Sequence, residues 1–182
     1  MSRAVREGRY RLPARLLHWL VAIAVPAQIW LGWTAERTQE REAGFRLLHL
    51  HFQLGMILLA LMVLRASWRI AHGVPAPAAA EPAWRRRLAA AMHWTLYALL
   101  LALPLSGYVI WVWMDAPMQL LGSVQVPRLF EPPADDETWR ALAWYVHYYS
   151  AWALAGLVVL HAAVALWHEF VLGDRLIRRR MM

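Results

Sequence analysis

The 182-residue sequence predicts an all-α integral membrane protein, a four-helix bundle, and three observations carry that prediction. Hydrophobic residues make up 60% of the chain, more than a water-soluble core of this length can hide. They collect in four long apolar stretches, 16–34, 47–68, 88–114 and 142–172. Each meets or nearly meets the length of about 20 residues that spans a hydrocarbon core of about 30 Å as a helix. The basic charge is all arginine, with no lysine, and the arginines gather at the ends of the stretches, as membrane topology requires. The net charge of +7 therefore reports orientation, and nucleic acid is not an expected partner.

The first stretch follows an arginine-rich head (Arg3, Arg6, Arg9, Arg11, Arg15), with Pro13 just before the helix and Pro26 inside it. It is expected to be a span and not a cleaved secretory signal. The run is long, carries His18 and Gln28, and has no small-x-small site before the charged segment 36–42. The second stretch holds His49, His51 and Gly55, and leads into an irregular loop marked by Pro75, Pro77 and Pro82 and by Arg65, Arg69, Arg85, Arg86 and Arg87. The third carries His93 and a bending Pro104. After it comes a loop with Arg128 and Arg140 against Asp115, Glu131, Asp135, Asp136 and Glu137, whose segment 117–130 is expected to fold as a short cap. The fourth stretch carries His147, His161 and His168, and ends in a tail with Arg175, Arg178, Arg179 and Arg180.

Fourteen of the 19 arginines fall on one side of this arrangement, so the positive-inside rule predicts both termini in the cytoplasm. The whole chain, 1–182, reads as one transmembrane domain with membrane lipid as its solvent. Most of the 12 tryptophans lie near span ends, where an indole anchors its ring in the headgroup zone.

The absence of cysteine excludes disulfides, iron–sulfur clusters, thiolate zinc sites and cysteine nucleophiles. The chemistry then rests on histidine. Seven of the eight histidines lie within or at the mouth of a span, where an ionisable side chain is costly and faces a bundle interior. His147 and His161 are 14 residues apart, which returns to within about 40° of one helix face with about 21 Å between them along the axis. One helix thus offers imidazoles at two depths, a spacing that suits two stacked planar cofactors and not one compact metal centre.

Counting from the span ends, His51 and His147 share the outer level. His18, His93 and His161 are three candidates for two places at the inner one. His49 and His51 point about 200° apart on a helix, so only one looks inward. His51 is favoured because Gly55, one turn on, removes a side chain where a flat macrocycle would press. Imidazoles without thiolates and with few carboxylates suit haem, which needs two axial ligands only and buries its apolar faces in a bundle. Two axial histidines leave no open position on iron, so one-electron transfer is the expected work.

The residues reached so far resemble the bacterial cytochrome b561 family of di-haem membrane proteins, and more narrowly its small four-helix members that oxidise superoxide and feed ubiquinone. The resemblance rests on Leu17-His18-Trp19-Leu20, on His51 with Gly55 and Leu64-Arg65, on His93 and Tyr97 followed by Ala102-Leu103-Pro104 and Gly107, and on His147, His161-Ala162-Ala163 and His168. It implies two haem b groups, the inner held by His18 and His161 and the outer by His51 and His147, with His93 beside the inner haem as a non-ligand. It also implies a quinone pocket at His168. That histidine, the candidate catalytic residue, would hydrogen-bond a quinone carbonyl and deliver a proton. Trp167, Glu169, Trp19 and Arg15 are candidates to complete the pocket.

The implied setting is the bacterial inner membrane, with superoxide or another periplasmic donor on one side and ubiquinone on the other. Arg46, Arg128 or Arg140 beside the outer haem edge could attract a small anion, although the loop's acidic balance suits a basic partner protein as well. Two alternatives come from other classes: a cytochrome subunit that anchors a dehydrogenase or hydrogenase, and a transporter using histidines as transient metal ligands.

Overall fold

In a computed structural model, which describes residues 8–75, 82–134 and 137–182, four helices are long and apolar enough to cross a membrane. They are α1 (Leu12–Arg37), α2 (Arg41–His72), α3 (Ala83–Trp113) and α4 (Thr138–Phe170). A two-stranded antiparallel hairpin, β1 (Gln119–Leu120) with β2 (Val124–Gln125), lies between α3 and α4, and a short helix, α5 (Leu176–Met181), ends the chain. Arg3, Arg6, most of the alanine-proline run and the acids Asp135 and Asp136 fall outside the described residues.

The helices outrun the apolar stretches, mostly by several residues at each end. Hydropathy registers only the part solvated by lipid, whereas backbone hydrogen bonding continues into the headgroup zone. At the C-terminal end of α4 the order is reversed: the apolar stretch reaches residue 172, but the helix stops at Phe170, and Gly173 with φ +69° turns the chain toward α5.

Helix α1 packs along α2, α2 on α3, and α3 along α4, so each helix lies against the next in chain order, the last two joined by the long segment that carries the hairpin. Two small apolar clusters hold it together. Val21, Val25, Leu58, Met62, Tyr97 and Leu154 come from all four helices and form the central layer. Phe52, Trp111, Val112, Ala116 and Met118 form a second layer where the hairpin meets α2 and α3. Outside these layers large apolar side chains face outward, Ile23, Ile70 and Val159 each about 70% exposed or more, as lipid-facing positions should be.

The two ends of the bundle differ. At the hairpin end the segment expected to be a cap is tied down by side chains. Trp111 Nε1 donates to Pro117 O at 3.0 Å, Tyr108 Oη donates to Pro127 O at 2.7 Å and accepts from Leu129 N, and Leu121 N donates to Gln53 Oε1. At the terminal end the N- and C-terminal segments meet, with Tyr10 N donating to Arg180 O and both Arg15 Nε and Trp19 Nε1 donating to Met181 O at 3.2 Å.

Candidate functional site

The histidines inside the bundle gather in two groups, and backbone carbonyls orient most of them. At the hairpin-side level, His51 of α2 faces His147 of α4, ring centres 5.8 Å apart. His51 Nδ1 donates to Gln28 O of α1 at 3.0 Å, while Gln28 Nε2 returns a 2.7 Å bond to His51 O. His147 Nδ1 donates to Leu103 O of α3 at 2.9 Å, with Ser106 Oγ at 3.1 Å. A proton held at Nδ1 leaves the lone pair at Nε2, the nitrogen free to ligate a metal.

The two imidazoles are seated in the same way. Each lies over a carbonyl of the neighbouring helix, and one turn after that carbonyl stands a glycine: Gln28 then Gly32 on α1, Leu103 then Gly107 on α3. A Cβ on Gly32 would lie 2.8 Å from His51 Cε1, and one on Gly107 would lie 3.1 Å from His147 Cε1. At Gly32 only glycine leaves room for the ring as it stands, and at Gly107 a Cβ would press the ring by a few tenths of an ångström. At Gly55 a Cβ would lie 3.0 Å from Gln28 Nε2, so the glycine also admits the amide that braces His51.

At the second level three imidazoles meet. His161 of α4 lies 6.4 Å from His18 of α1 and 5.4 Å from His93 of α3, ring centre to ring centre. His93 Nδ1 donates to Ala89 O at 2.6 Å, its own helix's carbonyl one turn back. His18 is held differently. Arg65 donates through Nη2 to His18 Nδ1 at 3.2 Å and through Nη1 to Ala14 O at 3.1 Å, so it stands at the carbonyl one turn before His18. Arginine can only donate, so here the His18 lone pair is on Nδ1.

A metal–imidazole nitrogen bond is about 2.0 Å and the ring centre lies about 1.1 Å beyond the nitrogen, so two imidazoles that shared one metal ion from opposite sides would stand about 6.2 Å apart, centre to centre. The His18–His161 pair at 6.4 Å and the His51–His147 pair at 5.8 Å lie nearest that value. Among the described residues no three histidine or acidic side chains converge on one ion, so the rings are not arranged as a bare metal site.

His168, seven residues past His161, stands apart from both groups. Its Nδ1 lies 2.6 Å from Asp174 Oδ2. Glu169 is buried and faces α5, accepting from Ile177 N and Arg178 N and pairing with Arg178 Nε at 3.0 Å. With Arg15 and Trp19 it is engaged in holding the C-terminal helix. His49 belongs to neither group: it is half-buried, stacked on Trp111 and bonded to Gln53, with its Nε2 buried and without a hydrogen-bond partner among the described residues.

A membrane bundle that seats facing imidazoles between its helices, with no thiolate present, has the construction of a membrane-embedded b-type cytochrome, a carrier of electrons. The sequence comparison makes this particular. The model of the prokaryotic cytochrome b561 family matches residues 9–182, and the chain belongs to that family. It is 30% identical to cytochrome b561 homolog 2 of Escherichia coli (strain K12), over 100% of this chain and 95% of the relative. It is 29% identical to cytochrome b561 homolog 1 of the same organism, over 91% of this chain and 92% of the relative. To cytochrome b562 of Cereibacter sphaeroides it is 28% identical, over 91% and 90%. The protein is thus a multi-pass membrane electron-transfer protein of the haem b type.

Sequence reasoning missed Gly32 and Ser106, and it named Gln28, Leu103 and Gly107 without connecting them to the seating of a histidine. Gln28 was visible as a polar residue in an apolar run. The carbonyl-and-glycine seats become recognisable only when the neighbouring helix is in place.

Proposed function

We propose that the chain is a single di-haem unit over residues 1–182 that passes single electrons from a donor at the hairpin end to ubiquinone at the terminal end. His51 and His147 would hold one haem b, and His18 and His161 the other, with His93 beside the latter as a non-ligand. The observation that carries this reading is the matched seating of His51 and His147, each with Nδ1 spent on a neighbouring carbonyl and Nε2 available. When bound, haem b supplies a reversible one-electron iron couple. The chain's own residues fix ring orientation, exclude water and set the spacing. For His18, ligation through Nε2 requires Arg65 to give up Nδ1, and Ala14 O, one turn back, is then the natural acceptor, as Ala89 O is for His93.

The arginine count supports an orientation with both termini in the cytoplasm, in a bacterial inner membrane. His168, oriented by Asp174, would hydrogen-bond ubiquinone and deliver a proton to it. The donor we propose is superoxide: two superoxide ions lose one electron each to give two molecules of oxygen, and ubiquinone takes both electrons with two protons to give ubiquinol. Superoxide-dependent ubiquinone reduction by the purified, haem-loaded protein tests this. Haem-loaded protein that reduces no quinone with superoxide would refute the donor while leaving electron transfer intact.

A second reading, a cytochrome subunit fed by a partner dehydrogenase or hydrogenase, is favoured by one specific observation. Arg46, Arg128 and Arg140, the hairpin-end arginines suited to attract a small anion, pair with Glu42, Asp115 and Glu137. Paired, they focus little positive potential. Stoichiometric co-purification of a partner would decide for this reading.

A further inference from the structure

Three arginines converge on one open cavity of about 450 Å³ at the terminal end of the bundle: Arg9 from the segment before α1, and Arg178 and Arg179 from α5. Two features fix their backbone. Glu169 of α4, buried at the base of α5, accepts the Ile177 and Arg178 N–H groups and pairs with Arg178 Nε. On the other side Arg9 donates to Met182 O and Tyr10 N donates to Arg180 O, which clips the N-terminal segment to α5. One Arg178 nitrogen is spent on Glu169, and no side-chain partner is assigned to Arg179 among the described residues. Met182 completes the lining and takes one Arg9 donor, so Arg9 and Arg178 each keep the rest of their guanidinium donors and positive charge at the cavity exceeds negative. Residues 8–20 and 168–182 together carry seven arginines against Glu169 and Asp174.

The surroundings narrow the class of anion. Arg9 lies three residues before the start of α1 and Arg178 eight residues after the end of α4, just beyond the apolar spans. Toward the membrane, Leu12 and Leu16 of α1, Phe170 at the end of α4, and Val171 and Leu172 just after it are all exposed. A guanidinium cavity standing above an apolar shoulder matches a molecule with a phosphate at one end and hydrocarbon at the other. A soluble anion would use the first feature and leave the second without purpose.

We propose that Arg9, Arg178 and Arg179 form a binding site for the phosphate headgroup of an anionic phospholipid, whose acyl chains lie along the start of α1 and the end of α4. The site clamps the two terminal segments together from outside, as Glu169 does from within. It stands independently of the electron-transfer reading.

Native mass spectrometry of the haem-loaded protein in detergent, titrated with phosphatidylglycerol or phosphatidylcholine, tests it. One phosphatidylglycerol should be retained per chain in preference to phosphatidylcholine. An arginine near an anionic headgroup contributes about fivefold, so Arg9→Gln with Arg179→Gln should weaken retention roughly 25-fold with the visible haem spectrum unchanged. Arg9→Lys with Arg179→Lys should keep most of it, and so should Arg85→Gln with Arg87→Gln, which removes two charges elsewhere on the same face. Equal retention of phosphatidylcholine, undiminished binding by the double glutamine variant, or an equal loss in the Arg85 and Arg87 variant would overturn the site. Displacement of the lipid by equimolar inorganic phosphate would overturn it too, in favour of a soluble anion.

Discussion

Gly32→Ala is the sharpest perturbation of the hairpin-side level, because it adds one carbon and replaces none of the proposed ligands. The new Cβ would stand 2.8 Å from His51 Cε1 and 3.0 Å from His51 Nδ1. Ordinary contact between carbons begins near 3.5 Å, so the ring must withdraw by about 0.7 Å. Metal–ligand bonds tolerate departures of about 0.2 Å, so the proposed sharing of one iron by His51 and His147 would not survive that withdrawal. The withdrawal also stretches the Nδ1 bond to Gln28 O, which orients the imidazole. Loss of such an orienting partner typically lowers affinity by about 10- to 100-fold.

The assay is haem content per chain by the pyridine haemochrome method after gel filtration, with the reduced spectrum recorded alongside. Gly32→Ala should fall from two haems toward one. Gly156→Ala, where an added Cβ meets nothing within 4 Å, should keep both. Two tightly held haems and an unchanged spectrum in Gly32→Ala would refute the reasoning from the seat.

Further predictions test other parts of the account. His51→Ala and His147→Ala should each remove the hairpin-side haem, and His18→Ala and His161→Ala the other. His93→Ala should leave both in place, and a haem lost in that variant would show the ligand set to be misassigned. His168→Gln should lower ubiquinone reduction about 100-fold, the usual scale of a lost general acid, with both haems and their spectra retained. A parent-like rate would remove His168 from the proton path. Glu169→Ala should release α5, seen as faster proteolysis of the C-terminal segment at unchanged haem content, since it leaves the Ile177 and Arg178 N–H groups without their acceptor. Equal protease resistance would show that other contacts hold the helix.

How far the sequence reaches depends on the range of the interaction. Four spans were legible because about 20 apolar residues in a row have one physical meaning, and His147 and His161 were legible as a two-level pair because helical geometry fixes their spacing. The helix ends were not, since past Thr34 or before Leu47 hydrogen bonding persists after hydropathy has fallen. The seats of the imidazoles were beyond reach for a different reason. Gln28 with Gly32, and Leu103 with Gly107, acquire their meaning from a ring on another helix; Leu103 and Gly107 stood out within α3, but neither helix alone says that these residues seat a histidine. At Gly55 the small size was legible, but the Gln28 amide that lies beside it on α1 was not. The short helix at Leu176–Met181 is stabilised by Glu169 and the N-terminal segment, contacts that its own six residues do not announce.

The most direct test of the central claim is near-infrared magnetic circular dichroism of the ferric protein, calibrated against haem per chain. The account predicts a bis-imidazole low-spin signal that accounts for two irons in each chain. A high-spin signal, or low-spin intensity equal to a single iron, would contradict it.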